Sequence, residues 1–326
     1  METKDKLLGI LSDRAGEFIS GRELGQRLGV SRAAVWKAMD ALRQEGYIIE
    51  AATNKGYRLG APADIVTGEL VEKKCGIPAL HIEYVRETTG TNAVLKSRAG
   101  AGEPEGTVLI AGHQTAGKGR YGREFYSPEG TGLYLSIILR PKMPAERAQL
   151  ITCLAAVAAA EAVEEVSGRQ AQIKWVNDLL LDGRKIAGIL TEASISLETG
   201  GLDWAVLGIG FNLADPAGGW GPLEGIAGSI FGTRAPAGSR AELAASFLRH
   251  FWSRWESFEP GAFLEPYRRR QAAFGRTIEV LALGREPRKA LATDVDSDFR
   301  LVVRYEDGRE EHLSSGEMRI IISGED

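Results

Sequence analysis

The chain has 326 residues, of which 44% are hydrophobic and 26% charged, a balance that fits a soluble globular protein of about two to three domains. Forty Lys and Arg against 44 Asp and Glu leave a net charge of −4, which argues against a protein that coats nucleic acid over its whole surface. Two cysteines, Cys75 and Cys153, argue against a disulfide framework, and with four histidines they argue equally against a structural zinc site. No apolar segment follows the N-terminal charges as a signal peptide would require. The longest apolar run, Cys153 to Ala160, is far too short to span a bilayer, so the expected location is cytoplasmic, without membrane contact.

Residues 1 to 62 read as one unit. Its first sixty residues carry ten basic and eight acidic side chains, a mild positive excess against the acidic remainder. Leu7, Leu8, Ile10 and Leu11 suggest an amphipathic helix. Ser20 is placed to cap a second helix from Arg22 to Leu28, with Glu23 as its capping-box partner and Gly29 as its stop. Ser31 is placed to cap a third helix to about Gln44, ended by Gly46, with Val35, Met39 and Leu42 on one face. Tyr47 to Glu50 and Gly56 to Leu59 follow as short strands around Thr53-Asn54-Lys55. This is the order of a winged helix-turn-helix. Its DNA-contact candidates are Ser31, Arg32, Trp36 and Lys37 on the third helix and Lys55 and Arg58 in the wing, although solvated surface residues would look the same. Gly60-Ala61-Pro62 reads as a linker.

Residues 63 to 272 read as a larger mixed unit. Strand-like runs lie at Ala79–Arg86, Gly106–Ala111, Gly132–Leu139, Gln172–Trp175, Leu179–Leu181, Lys185–Glu192 and Trp204–Ile209, with Asp182-Gly183 as a type I′ turn. Ala148 to Val166 is apolar nearly all round and predicts a deeply packed helix. Ala214 to Gly238 predicts a long surface loop, and Arg240 to Phe258 a helix with Leu243, Phe247, Leu248, Phe251 and Trp255 inward. Trp204 and Trp255 read as core. Residues 273 to 326 alternate in short strands with turns at Gly284, Asp307-Gly308 and Ser315-Gly316, the pattern of a small β-barrel.

Three motifs carry chemistry. Gly117-Lys118-Gly119-Arg120-Tyr121-Gly122-Arg123 alternates glycines with cations, which suits a loop wrapped around a carboxylate or phosphate; a solvated basic turn has the same spacing. It is neither a P-loop nor a dinucleotide fingerprint. In Lys174-Trp175-Val176-Asn177-Asp178, Asp178 is a candidate Mg²⁺ ligand on a nucleotide, or the cap of a turn. In Gly183-Arg184-Lys185-Ile186-Ala187-Gly188, Lys185 opens an apolar strand and either enters a pocket or snorkels outward. Gly90, Thr91, Asn92 and Gln114 offer polar edges nearby, and Gly208-Ile209-Gly210-Phe211-Asn212-Leu213 ends a strand with glycines that admit close backbone approach.

With these motifs in this order, the chain resembles the bacterial bifunctional biotin–protein ligases and biotin operon repressors along essentially its whole length. The resemblance implies an α+β chain: a winged helix-turn-helix (1–62), a biotin/lipoate-ligase-like mixed sheet with helices (63–272) and an SH3-like small β-barrel (273–326). It implies that biotin and ATP, with Mg²⁺, form biotinyl-5′-adenylate and pyrophosphate, and that the biotinyl group passes to one lysine of a biotin carboxyl carrier protein. Gly90, Thr91, Asn92 and Gln114 would hold the biotin rings. Gly117, Lys118, Gly119 and Arg120 would form the loop over biotin and the adenylate phosphate. Arg123 would serve ATP phosphates, Asp178 the metal–nucleotide side and Lys185 the reacting carboxylate and α-phosphate. Asn212 would line the nucleotide pocket. Operator DNA and a homodimer promoted by the adenylate are the further implied partners.

The chain departs from the family pattern at four positions. Lys118 and Tyr121 stand where Arg is common or frequent, Val176 where Pro is usual, and Gly90 where Ser usually precedes Thr-Asn. Three other readings compete. A lipoate or octanoate ligase would leave Thr91 and Gln114 without a purpose and would lack the winged helix. A ligand-responsive transcription factor with a degenerate sensor would have lost the charged residues. A ligase whose winged helix no longer reads an operator fits the sequence as it stands.

Overall fold

The computed structural model describes residues 3–14, 16–44, 47, 49–53, 55–60, 66–196, 198, 200–282, 286–314 and 318–322. Gly46, Asn54, the linker residues Ala61 and Pro62, and the expected turns at Gly284 and Ser315-Gly316 lie outside these.

The N-terminal unit is built from α1 (Thr3–Asp13), α2 (Gly21–Leu28), α3 (Arg32–Gln44) and the antiparallel hairpin β1 (Ile49–Ala52) and β2 (Gly56–Leu59). The Ser20 hydroxyl accepts from Glu23 N at 3.1 Å, and Gly29 closes α2 in the left-handed region at φ 66°. The Glu23 side chain turns away from the reciprocal capping contact and pairs with Arg14 and Arg27. Leu7, Leu11, Ile19, Leu24, Val35, Met39, Leu42 and Ile49 form a closed core of its own. The periodicity that predicted these helices is therefore the one that buries them.

The central unit follows as α4 (Gly68–Cys75), β3 (His81–Thr88), α5 (Thr91–Gly100), β4 (Thr107–Gln114), β5 (Gly132–Leu139), α6 (Gln149–Ser167), β6 (Gln172–Lys174), β7 (Asp178–Leu181), β8 (Arg184–Ile195), β9 (Leu202–Asn212), α7 (Ser239–Trp255) and α8 (Pro260–Arg269). Its seven-stranded sheet has the order β3-β4-β5-β9-β8-β7-β6, with β3 and β4 parallel and the remaining pairs antiparallel. Two faces are covered differently. On one, Leu95 and Ala99 of α5 pack on Leu109, Ile138 and Val206. On the other, the almost wholly buried α6 and the inner side of α7 form the main core. Trp255 is buried there as expected, whereas Trp204 is only half-buried beside the smaller cluster.

The C-terminal strands β10 (Thr277–Ala282), β11 (Arg288–Val295), β12 (Leu301–Arg304), β13 (Glu310–Leu313) and β14 (Met318–Ile322) form an antiparallel sheet in the order β13-β12-β11-β10-β14. Among the described residues no pairing joins β13 to β14, so the five strands stand as an open sheet and not as the closed barrel expected. A run of ring contacts continues from Phe247 through Phe251, Trp255, Phe258 and Phe263 to Phe299, each pair 5.0–6.1 Å apart. The Phe299 carbonyl accepts from Trp175 Nε1 at 3.1 Å. The C-terminal sheet thereby buttresses the strand that leads into Asn177 and Asp178.

Candidate active site

A cavity of about 110 Å³ opens over the α5 face of the sheet, between the first turn of α5, the glycine–cation loop and the β7–β8 hairpin. Its floor is backbone. Gly188 and Gly210 are direct cross-strand partners, and Gly208 lies two residues from Gly210 on the same face. A Cβ at Gly208 would fall 2.0 Å from Asn92 Oδ1, and one at Gly210 would fall 2.3 Å from the Phe125 ring. Glycine is required here by close approach.

One end of the cavity is a chain of hydrogen bonds. Gln114 Oε1 accepts from Thr91 N at 2.9 Å, so a side chain from β4 caps the start of α5. Gln114 Nε2 reaches Ser127 Oγ at 3.0 Å. The buried Ser136 hydroxyl lies 2.6 Å from both Thr91 Oγ1 and Asn92 Oδ1, and Asn92 Nδ2 donates to Glu192 Oε2 at 3.0 Å. Lys96 Nζ closes the series on Glu192 Oε1 at 2.6 Å. Burial alone would raise the Glu192 carboxyl. The bonds from Lys96 and Asn92 and the charge of Lys118 outweigh it and hold the group below the ordinary carboxylate range.

The other end gathers cations. Gly117 to Phe125 forms a small hairpin, with Phe125 N on Gly117 O at 2.9 Å and Gly119 N on Arg123 O at 2.7 Å. Tyr121 (φ 57°) and Gly122 (φ 73°) turn it in the left-handed region. Arg120 Nη1 donates to Asn177 Oδ1 at 3.1 Å, which latches this hairpin onto the turn before β7. Lys185 Nζ lies 2.7 Å from Asp178 Oδ1, with both side chains mostly buried. A strict alternation would turn Lys185 away from Gly188. The β7–β8 register shifts by one residue between Leu179 and Leu180, leaving Ile186 as a bulge, and Lys185 returns to the cavity face. The Asp182-Gly183 turn that sets this hairpin has φ values of 51° and 76°, as type I′ requires.

Of the residues singled out by sequence, Gly90, Thr91, Asn92, Gln114, Lys118, Gly119, Arg120 and Lys185 all line the cavity. Gly117 and Asp178 stand directly behind it: a Cβ at Gly117 would meet Phe125 O at 2.7 Å, and Asp178 pairs with Lys185. Arg123 is exposed directly after the Tyr121-Gly122 turn of the hairpin, outside the cavity wall. Asn212 is also outside it; its Nδ2 donates to the carbonyls of Lys185 and Gly228 at 3.3 and 3.0 Å. Lys96, Phe125, Asn177 and Glu192 line it as well. The aromatic pair Phe125-Tyr126 directly after the glycine loop was the one available signal for Phe125. Among the described residues no group of three His, Cys, Asp or Glu side chains could hold a metal by itself.

On the N-terminal unit, Ser31 Oγ caps α3 by accepting from Ala34 N at 3.2 Å. Arg32, Lys37 and Lys55 are exposed, and Trp36 presents a largely bare ring to solvent. Arg58 lies on β2 of the hairpin. It is tied into the fold by an ion pair with Glu50, and its guanidinium stacks 4.5 Å over the Phe18 ring.

Comparison with known proteins gives these features a family. The biotin/lipoate A/B protein ligase family matches residues 84–212, and a helix-turn-helix (HTH) domain matches residues 3–58. The bifunctional ligase/repressor BirA of Bacillus subtilis is 40% identical over 209 residues, 64% of either chain. Its counterpart from Bacillus spizizenii is 36% identical over 260 residues, 79% of either chain. The chain belongs to the family of BirA-type biotin protein ligases. The fold agrees: a biotin protein ligase from Aquifex aeolicus, solved in complex with biotin and ATP, superimposes with a TM-score of 0.62 at 23% identity, over 74% of this chain and 99% of that one. In this BirA-type chain the family match, residues 84–212, contains every lining residue of the cavity. No helix among the described residues is long and apolar enough to cross a membrane.

Proposed function

We propose that the protein joins biotin to ATP and transfers the biotinyl group to a lysine of a biotin carboxyl carrier protein. The observation that supports this most directly is the make-up of the cavity: the donors and acceptors of Thr91, Asn92 and Gln114 beside the Lys96–Glu192 pair at the α5 end, and Arg120 and Lys185 at the other. A fused-ring urea matches the first, and a carboxylate meeting a polyphosphate matches the second.

The biotin rings lie against Thr91, Asn92 and Gln114, with Gly90 allowing close backbone approach. The valeryl carboxylate then points along the glycine floor toward Lys185. The carboxylate oxygen attacks the α-phosphorus of ATP, the α–β bridging oxygen leaves with pyrophosphate, and biotinyl-5′-AMP remains. Lys185 and Arg120 counter the charge that builds on the phosphoryl oxygens. Arg123, beside the turn of the hairpin, serves the departing phosphates. Asp178 would hold a Mg²⁺ on the nucleotide side, since that ion needs few protein oxygens, and the ion would supply neutralisation of phosphate charge. Asn212 and the glycines beside it border the nucleotide side. The Gly117–Phe125 hairpin keeps water from the mixed anhydride. In the second step the acceptor lysine, as the free amine, attacks the biotinyl carbonyl, and AMP leaves.

The same chain is read as a repressor of biotin genes. Ser31, Arg32, Trp36, Lys37, Lys55 and Arg58 are offered to an operator, with Arg32 on a base edge and Lys37 on phosphate. A homodimer promoted by the adenylate would present two such units to an inverted repeat. Residues 1–62, 63–272 and 273–326 are taken as the three working units, the last as a counterpart of the family's SH3-like module, and the cytoplasm as their location.

Incubation with biotin, ATP labelled at the α-phosphate and Mg²⁺ tests the ligase reading. Biotin-dependent pyrophosphate release with retained biotinyl-adenylate supports it; release that lipoate supports and biotin does not would overturn it. Sedimentation and operator binding with and without the adenylate test the repressor reading, which fails if neither changes.

A further inference from the structure

Beside the Asn212 side chain, which donates to its carbonyl, Lys185 takes two main-chain partners from the long loop between β9 and α7. Its N–H donates to Ile226 O at 2.8 Å, and its carbonyl accepts from Gly228 N at 2.9 Å. That loop is closed by a side-chain knot. Asp215 Oδ1 accepts from Ser229 Oγ at 2.7 Å and from Trp220 Nε1 at 3.2 Å, while Asp215 N donates to Gly232 O at 2.8 Å. Trp220 is buried, and Ser229 directly follows the residue that bonds Lys185.

We propose that Asp215 is a positioning residue for Lys185. It touches no cavity wall. By gathering onto one oxygen two donors that flank the Ile226–Gly228 segment, it fixes that segment as a strand neighbour of Lys185, and so fixes where the bulged start of β8 sets the ammonium group. The inference rests on the adenylation reading of Lys185 above. Both donors converge on Oδ1, so an amide oxygen can replace the carboxylate oxygen, whereas a methyl group cannot.

The test uses the full-length protein and compares Asp215→Ala, Asp215→Asn, Lys185→Ala and the Asp215→Ala, Lys185→Ala pair. Single-turnover adenylate formation and biotin affinity are measured for each. Asp215→Ala is expected to slow adenylate formation about tenfold with biotin affinity changed less than about twofold, the split expected when a transition-state contact is misplaced. Asp215→Asn is expected to recover most of the rate, and the pair to be no slower than Lys185→Ala alone, because residues acting through one group are not additive. A wild-type rate for Asp215→Ala beside a slow Lys185→Ala overturns this inference alone. A wild-type rate for Lys185→Ala overturns the adenylation role on which it rests. Equal loss in Asp215→Ala and Asp215→Asn overturns the shared-acceptor argument. Should Asp215→Ala fail to fold, Ser229→Ala removes the shorter of the two bonds and takes its place, with the same expected loss and the same refuting result.

Discussion

Lys185 and Gly188 face the same side of β8 although three residues separate them, because the bulge at Ile186 restores the face that alternation would have reversed. Lys185 Nζ consequently lies beside Asp178 and about the glycine floor, 3.1 Å from where a Gly188 Cβ would stand. Lys185→Ala is expected to lower adenylate formation on the order of 10² to 10³-fold, the usual cost of removing a preorganised charge from a phosphoryl or acyl transition state. Biotin affinity should move far less. Stopped-flow adenylation with a parallel binding titration separates the two, and equal losses in both would mean that Lys185 acts on ground-state binding.

Gly208→Ala places a methyl carbon 2.0 Å from Asn92 Oδ1. Asn92 must swing away, which breaks its bonds to Ser136 and Glu192. Biotin binding is expected to weaken about tenfold or more, a loss of at least about 1.4 kcal/mol. In an Asn92→Ala background the same Gly208→Ala change should cost little, since the obstructed group is gone. Calorimetric titration of the single and paired variants decides it; a full additional loss in the pair would point to the ligand itself as the group displaced.

Much of this site was legible in the sequence, and the parts that were not share a cause. Ser20, Gly29, the Asp182-Gly183 turn and the apolar periodicity of α6 and α7 are local signals, and the elements they mark stand within a few residues of expectation. Thr91 and Asn92 read only as polar edge residues because the cap that starts α5 comes from Gln114, 23 positions away. Glu192 and Lys96 had no local mark: their meeting depends on α5 crossing β8, 96 positions apart. A β-bulge leaves no trace in an apolar run, so the direction of Lys185 stayed open. The barrel expectation came from strand spacing, which specifies neighbours along the chain but not whether the two edges meet.

Glu192 gives the site an acid limit. Its carboxyl is held below the ordinary range in the folded state, so the contribution of its pairing is present above the unfolded value of about 4.3 and is lost as pH falls through the lower folded value. Biotin affinity should therefore decline on the acid side of about pH 4.3 in the wild type as the Asn92–Glu192–Lys96 series comes apart. Glu192→Gln should start weaker at neutral pH and show a flatter acid limb. Titrations between neutral and acid pH read this directly, and parallel profiles for the two proteins would remove Glu192 from the account.

Arg58 and Lys37 should separate fold from recognition in the N-terminal unit. Arg58→Ala removes a half-exposed ion pair and a stacked guanidinium, and should destabilise that unit by about 1 kcal/mol. Lys37→Ala removes an exposed cation and should leave thermal stability unchanged while reducing the salt dependence of operator binding by about one counterion. Melting curves and salt titrations on both variants test the assignment; an unchanged melting curve for Arg58→Ala would mean that its Glu50 pair and Phe18 stack do not hold the fold.

A site floored by glycine main chain leaves an engineer little to exchange. Any new side chain at 188, 208 or 210 fills the cavity, so retargeting by substitution there narrows the range of acids the pocket accepts and cannot widen it. Room for a bulkier or longer acid has to come from the walls, where Phe125 lies over Gly188 and Gly210 and Lys96 stands at the far end. Phe125 is the place to begin a redesign: shortening it gives up an edge contact with Tyr134, whereas shortening Lys96 would break the Glu192 pair on which the α5 end of the cavity depends.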